Sequence, residues 1–490
     1  MAYKQLLPLL LGSASILLSA CSEDTAVAIV NDAELQTLIS QAQLTGDPST
    51  GRTLPSINDA KVQLGKKLFF TRGLGGNNDS ACVSCHHPSL GGGDDLSLSI
   101  GVGAETPDLL GPGRFHDMNA EATGGGEWDG GPTVPRNAPT TFNIAMWDSV
   151  LFHDGRVESL GKTIGVNGDD GLGIRTPDSD LGVADPDAGA TLAAAQSRFP
   201  VTSPEEMRGF IFEAGNSNAD LRAALEVKLS APGDWDEEFT TVYGSPTITY
   251  TRIADAIGEY ERSQVFIDTP WKAYVEGDAA ALSDEAKKGA ILFFTSREDG
   301  GANCASCHAG DFFTDEQFHV LAMPQIGRGK GDGVLKNDDF GRFRETKADA
   351  DMYRFRTPSL INVEVTGPWG HAGAYTTLEN VVRHMLDPFT AVANYDFSQL
   401  NPTIQASDML FNTQSALDRL EKSRIADVDG VHRAVVFSED DVTNLVEFLK
   451  ALTDPCVKSR ECLAPWVPDA GDTNPDGLRI NAIDNTGSFL

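Results

Sequence analysis

Cys82-Val83-Ser84-Cys85-His86 is the stretch on which the reading of this chain turns, because Cys304-Ala305-Ser306-Cys307-His308 repeats it. Each is a C-x-x-C-H, in which two thiols can add to the vinyl groups of a haem while the adjacent histidine ligates its iron. The two copies hold four of the seven cysteines, so chance is a poor account of both. A zinc knuckle needs two further ligands at matching spacing, and a thioredoxin-type redox pair wants a βαβ setting. Neither pattern is visible. The expectation is two covalent haems of c type, attached through Cys82 and Cys85 and through Cys304 and Cys307, with His86 and His308 on the irons.

The repeat extends outward from the motifs. Gly65-Lys66-Lys67-Leu68-Phe69-Phe70-Thr71 precedes the first, and Gly289-Ala290-Ile291-Leu292-Phe293-Phe294-Thr295 precedes the second. Beyond them, Arg136-Asn137-Ala138-Pro139-Thr140 with Asn143, His153 and Gly155 corresponds to Arg356-Thr357-Pro358-Ser359 with Asn362, His371 and Gly373. A period of roughly 220 residues is too long for a solenoid and signals duplication of a whole domain. Apolar positions recur at helical spacing over 58–70, 253–265, 378–385 and 442–452, while alternating strands are scarce. The fold expected is mainly α, two cytochrome c-like helical domains related by internal duplication, one over 56–248 and the other over 249–455. The first copy carries two Gly- and Asp-rich insertions, about 105–132 and 166–201, expected to be long loops near the first haem. Arg114, His116 and Trp128 lie in the first of them.

The ends bound the compartment. Lys4, an apolar run over 6–18 and Leu18-Ser19-Ala20-Cys21 read as a secretory signal over 1–21, too short in its apolar part to span a bilayer, ending in a bacterial lipobox. Cys21 is then the lipidated first mature residue, and Ser22 after it fits sorting to the outer membrane; ordinary cleavage near Ala20 is the alternative. Both readings take the protein out of the cytoplasm, onto the periplasmic face with a lipid anchor as its sole membrane contact. Residues 22–55 are polar and small and read as a tether ending in a turn at Asp47-Pro48-Ser49-Thr50-Gly51. In the tail, 456–490, Cys456 and Cys462 are expected to form a local disulfide in an oxidising compartment.

The formal charge is −33, from 38 Lys and Arg against 71 Asp and Glu. That excludes nucleic acid as a partner, since a phosphate backbone demands a basic surface. A positively charged redox protein would be steered toward such a surface, and simple solubility is equally compatible with it. The roughly 470 residues after the leader exceed one core, in line with two domains.

Over about residues 56–455 the sequence resembles the bacterial diheme cytochrome c peroxidase family, which includes MauG-like enzymes that oxidise residues of a partner protein. The resemblance implies a peroxide-reacting haem on His86 and an electron-transferring haem on His308. It implies a distal methionine seventeen residues after the proline of T-x-P; here Thr366-Gly367-Pro368 and His371-Ala372-Gly373 are followed by Met385. A thioether opposite histidine raises a haem's potential. Read without the resemblance, Met385 is helix core, and His384 is the rival ligand, about 100° around the helix. A calcium ion between the domains is also implied, held by the Asn137 side chain and the carbonyls of Thr366 and Pro368, oxygen donors that suit a hard cation. By itself Asn137 reads as a turn residue.

Ser203-Pro204-Glu205-Glu206-Met207 resembles the family's N-P-x-E-M, whose glutamate assists O–O cleavage by taking a proton from peroxide and returning it to the departing oxygen. Spacing alone reads the same residues as a capping box, Ser203 with Glu206 around a first-turn proline. Glu205 is the second candidate for the acid.

Two departures stand out. Sixteen residues beyond the proximal ligand, where classical members place a histidine on the resting haem, this chain has Val102. The sixth position is then open or filled from elsewhere, His116 being the nearest candidate and His87 sterically disfavoured. Where the family has F-W-D-G-R this chain has Phe152-His153-Asp154-Gly155-Arg156. His153 can bridge the haems by hydrogen bonds, ligate, or serve only structure, and Trp147 can stand in for the missing indole.

The expected function is reduction of hydrogen peroxide with electrons from a small periplasmic cytochrome or copper protein. The alternatives are a MauG-like oxidase of Trp or Tyr residues in a partner protein, and a non-enzymatic diheme electron carrier. Family members commonly dimerise, which makes a homodimer one implied assembly.

Overall fold

The computed structural model describes Met1 and residues 23–117, 131–426 and 435–490. The leader and Cys21 lie outside the described residues, as does Trp128. The helices that position the site are α1 (Glu23–Gln41), α2 (Ala60–Phe70), α3 (Leu192–Gln196), α4 (Tyr250–Arg262), α5 (Asp284–Phe294), α6 (Leu378–Leu386) and α7 (Glu439–Lys450). Strands are short. An antiparallel meander is formed by β1 (Val150–Leu151), β2 (Val157–Ser159) and β3 (Ile174–Arg175), and β4 (Phe318–His319) pairs with β5 (Phe355–Arg356). The mainly helical expectation therefore holds.

Capping residues in the sequence set where these helices begin. The side chains of Thr249, Ser283 and Ser438 each accept a hydrogen bond from the backbone N–H three residues on, and acidic residues fill the first turns of α5 and α7. The apolar faces then close two cores. Val62, Leu64, Leu68 and Phe69 of α2 meet Ile253, Ile257 and Tyr260 of α4. Ala286, Ala290 and Phe293 of α5 meet Val442, Leu445 and Phe448 of α7.

Each pair crosses at a glycine that allows the backbones to touch. A Cβ on Gly65 would lie 1.9 Å from the Ala256 carbonyl oxygen, and one on Gly289 would lie 1.9 Å from that of Asn444. These glycines are equivalent in the sequence repeat. So are Asn143 and Asn362, both left-handed at the head of a 3-10 turn, and both donate from Nδ2 to the one carbonyl of Phe266, at 3.0 and 2.9 Å.

Three stretches differ from expectation. The segment 22–55 is not a tether where it is described: Leu35 and Ile39 of α1 are buried in the second core. Asp32 pairs with Lys287 of α5 at 2.9 Å, and the Asp311 carboxylate accepts from Thr45 N, Thr45 Oγ1 and Gly46 N. The i, i+4 spacing of Leu35 and Ile39 was the available signal, diluted by small polar neighbours. The tail 456–490 is built into the first half. Ile480 N donates to Phe70 O, Arg72 N to Leu478 O and Leu110 N to Ile483 O, each at 2.9 Å, while Val467, Ile480 and Ala482 join the first core. Cys456 and Cys462 are disulfide-bonded there.

The insertion 166–201 is not only loop. It supplies β3 and α3, whose Leu192, Ala193 and Ala195 pack with Ile144, Trp147 and Val157. Three consecutive alanines let α3 lie against α4, where a Cβ on Gly258 would come within 2.6 Å of Ala194 N. The described part of the first insertion is pinned by Arg114, which donates to the carbonyls of Ile100, Gly101, Pro107 and Leu109.

Gly289→Ala forces a methyl into the α5–α7 crossing and should cost about 1–3 kcal/mol or more, read as a lowered Tm by circular dichroism. Gly471→Ala, with open space around it, should leave Tm unchanged.

Candidate functional site

Both C-x-x-C-H motifs fold as a 3-10 turn soon after a core helix, Cys82–Ser84 after α2 and Cys304–Ser306 after α5. In each, the histidine N–H closes onto the first cysteine's carbonyl, at 3.1 Å for His86 and 2.9 Å for His308. The imidazoles are oriented alike. Nδ1 of His86 donates to Gly92 O and Nδ1 of His308 to Phe313 O, both at 3.1 Å, which leaves Nε2 as the ligating nitrogen. Burial lowers the pKa of both rings, so they are neutral as metal ligation requires.

The four motif cysteines form no disulfide. Burial raises the thiols of Cys82, Cys85 and Cys304, to about 12 for the last two, the reverse of what a redox or thiolate site needs. Each motif instead opens on a cavity. One, of ≈ 270 Å³, is lined by Cys304, Cys307, His308 and Met385 and reaches to His86; the other is lined by Cys82, Cys85, His86 and Glu206. Paired thiols, an oriented imidazole and a cavity fit haem c at both places.

Met385, on α6, faces the His308 cavity. Its rival is occupied elsewhere: His384 is fully buried, with Nε2 2.8 Å from Leu321 O and Nδ1 2.8 Å from the Tyr375 hydroxyl. The helical offset between neighbours thus sends the thioether to the cavity and the imidazole into the core.

Glu206 lies on a single π-helical turn, Pro204–Arg208, a local form frequent at functional sites. Ser203 does cap it, accepting from Glu206 N at 3.3 Å, but its hydroxyl donates to Glu205 at 3.0 Å and its own N–H is bound to Pro200 O. The return half of a capping box is therefore absent, and Glu206 lines the His86 cavity while Glu205 does not. Burial raises the Glu206 pKa; Arg156, Lys330 and Ser203 pull it back, and Glu205 adds to the rise.

Neither alternative sixth ligand reaches this cavity. His116 sits in a backbone bridge with Ala104 and His87 packs edge-on against Phe70, its Nδ1 accepting from Ser89 N. Among the described residues, His86 and His153 are the histidines lining it.

His153 lines both cavities. Its Nε2 donates to Asn137 O at 3.0 Å, and burial together with the Arg136 charge pushes its pKa down to about 3, so it is a neutral bridge. Asn137 N in turn donates to His371 O at 2.9 Å, so the two repeat-related histidines converge on one residue. The Asn137 amide nitrogen donates to the carbonyls of Leu96 and Ser97. Asn137 shares a cavity wall with Thr366 and Pro368, residues whose oxygens are of the kind that suits a hard cation. Trp147 lines the same cavity, with the Arg356 guanidinium 3.5 Å from its ring centroid.

Three features escaped the sequence reading. Arg136 is buried between Asp339, bound through two bonds at 2.6 and 2.8 Å, and Asp154 at 2.6 Å. Glu261 of α4 lines both cavities, and burial pushes it up to about 8. Lys330 reaches the His86 cavity from the second half of the chain. For Arg136 the signal was its place in the repeat beside Asn137; for the other two there was none.

The model of the di-haem cytochrome c peroxidase family matches residues 59–280. Methylamine utilization protein MauG of Methylorubrum extorquens is 28% identical over 330 residues, covering 66% of this chain and 68% of that protein. Over that segment the chain is similar to the di-haem cytochrome c peroxidase family. Cytochrome c551 peroxidase of Pseudomonas aeruginosa is likewise 28% identical over 333 residues, covering 67% of this chain and 72% of the relative. Two solved structures share the fold of this chain. They are a MauG-like protein associated with microbial copper homeostasis (TM-score 0.55, 21% identity, 85% and 98% of the two chains) and the diheme peroxidase BthA of Burkholderia thailandensis (TM-score 0.51, 20%, 88% and 92%). The protein is thus an oxidoreductase of the cytochrome c peroxidase kind, and two haem c groups are its cofactors.

Burial works against the ionised forms of Asp154 and Asp339, yet the Arg136 charge holds both carboxyls far below the usual range. Arg136→Met should therefore cost about 3–5 kcal/mol near pH 7 by leaving two buried carboxylates unpaired. Depressed carboxylate pKa values stabilise the fold above the unfolded aspartate pKa, about 3.9, and that stability fades as pH falls below it. The gap between wild type and variant in urea unfolding should accordingly shrink below pH 4.

Proposed function

We propose that this protein reduces hydrogen peroxide to water with electrons from a small periplasmic redox protein. The observation that carries the reading is Glu206: a carboxyl group in the cavity of Cys82, Cys85 and His86, on a turn that does not spend it on capping. Haem c supplies the one-electron chemistry and the iron at which the O–O bond breaks. His86 and His308 hold it from the proximal side, their Nδ1 bonds fixing the rings. Glu206 takes the proton from the attacking peroxide oxygen and delivers it to the departing one. Two electrons and two further protons complete two waters.

Met385, on the same cavity as His308, would supply a thioether to the second haem and make that site the one that accepts electrons, since histidine–thioether ligation raises the potential. His153 and Trp147 bridge the two sites along one cavity. Asn137 with the Thr366 and Pro368 carbonyls would hold a calcium ion. The acidic surface steers a basic donor, and Cys21 carries the lipid anchor at the periplasmic face of the membrane. Among the described residues no helix is long and apolar enough to cross a membrane.

A second reading, oxidation of a partner protein's Trp or Tyr, is favoured by one feature. The insertion and its approach leave Ile164, Leu172, Leu181 and Val183 half or more exposed, an apolar surface of the kind that marks protein contacts.

Glu206→Gln should lower the rate of reaction with peroxide by about 10²–10⁴-fold, followed by stopped-flow on the diheme protein, with both haem spectra retained. Turnover of reduced cytochrome by the wild type supports peroxidase; a co-purified partner gaining oxidised residues without such turnover supports the second reading. Met385→Leu should drop the potential of the second haem alone in a redox titration.

A further inference from the structure

Lys330 belongs by sequence to the second repeat, yet it lines the cavity of Cys82, Cys85 and His86 beside Glu206, Arg136 and Arg156. Its placement is fixed by the fold. Lys330 N donates to Asp338 O at 2.9 Å, Asp332 and Asp338 exchange backbone hydrogen bonds at 3.2 Å, and Asp332 is held by Arg344 at 2.5 Å. Gly329 is left-handed, where a Cβ would meet Asn337 O at 2.3 Å. At the base of this loop Asp339 grips Arg136, so the first half of the chain anchors the residue that the second half supplies.

The neighbouring cations are already engaged. Arg136 is shared by two carboxylates, and Arg156 pairs with Asp154 at 3.2 Å while lying 3.5 Å over the Phe152 ring. Among the described residues Lys330 has no carboxylate at ion-pair distance; Asp154 and Asp339 act on it through their fields.

We propose that Lys330 is a positioning residue for peroxide turnover, its ammonium holding Glu206 as the carboxylate that accepts the first proton. The proposal rests on the role given to Glu206 above. A proton acceptor must be ionised before peroxide arrives, and burial opposes that. Glu205 opposes it too; Arg156 and Lys330 are the charges that favour it. Across the cavity Glu261 and His153 are neutral near pH 7, and around Lys330 stand Arg136, Arg156, Asp154 and Asp339. Burial and the two arginines bring Lys330 itself down to about 8, so it is mostly charged at pH 7. The proton leaves peroxide for Glu206 and returns to the departing oxygen, and the donor's two electrons with two protons from water balance the two waters formed.

The test is the pH dependence, between pH 4 and 9, of the bimolecular rate of the diheme protein with hydrogen peroxide. In Lys330→Met, and in Lys330→Gln should the first misfold, the acid limb should move up by about one pH unit, a tenfold loss on that limb, with the plateau retained. Lys330→Arg should restore the wild-type limb, and Lys336→Met, an exposed lysine on the same loop, should not move it. If Glu206→Gln leaves the acid limb in place, the role of Glu206 is overturned and this proposal with it. If Glu206→Gln abolishes the limb while Lys330→Met and Lys330→Gln leave it where it was, Lys330 alone is overturned.

Discussion

Arg136 buried between Asp154 and Asp339 is the interaction on which the arrangement of the two haem sites depends. Taking three charges out of water is costly, and a pairing of this kind adds little net stability over an apolar core. What it does is fix geometry. Asp154 belongs to the first half of the chain and Asp339 to the second, so the guanidinium sets the register between them. The next residue, Asn137, inherits that register: its carbonyl takes the His153 imidazole and its N–H the His371 carbonyl. The wall between the cavities is therefore placed by one dipeptide.

What the chain reveals by itself is what lies close in sequence or repeats. The C-x-x-C-H turns, the glycine-marked helices α2 and α5 and the spacing from Pro368 to Met385 are local statements, and the structure keeps each local geometry. Glu206 was legible but ambiguous, because a cap and an acid want the same residues at the same spacing; the hydrogen bond from Ser203 to Glu205 leaves the return half of a capping box unmade. Contacts made across long separations were not legible. Leu35 and Ile39 found their core more than 240 residues away on α5, and the tail found its strand-like partners at Phe70 and Arg72. Polar composition hid both, since a short amphipathic helix and an edge segment bury only a few apolar residues.

On the proposed function, His153 in place of the family tryptophan would leave coupling to Trp147, and its surroundings limit how it could serve. The Arg356 guanidinium stands 3.5 Å from the centre of the indole. Burial lowers Arg356 to about 10, so it is charged at neutral pH. An indole that had lost an electron would face that cation at van der Waals distance in a poorly polarisable site, where like charges repel strongly. Trp147 in this setting is a poor place for a hole to rest.

Val102 shows what became of the position that holds a histidine in classical relatives. It is buried, and its N–H donates to Glu205 O at 3.2 Å. Its neighbour Gly101 lies so close to the acid turn that a Cβ there would meet the carbonyl of Glu206 at 2.3 Å, and Arg114 clamps the carbonyls of Ile100 and Gly101 from the other side. A segment held at this many points cannot swing a ligand on and off the iron. It is a rigid backing for Pro204–Arg208.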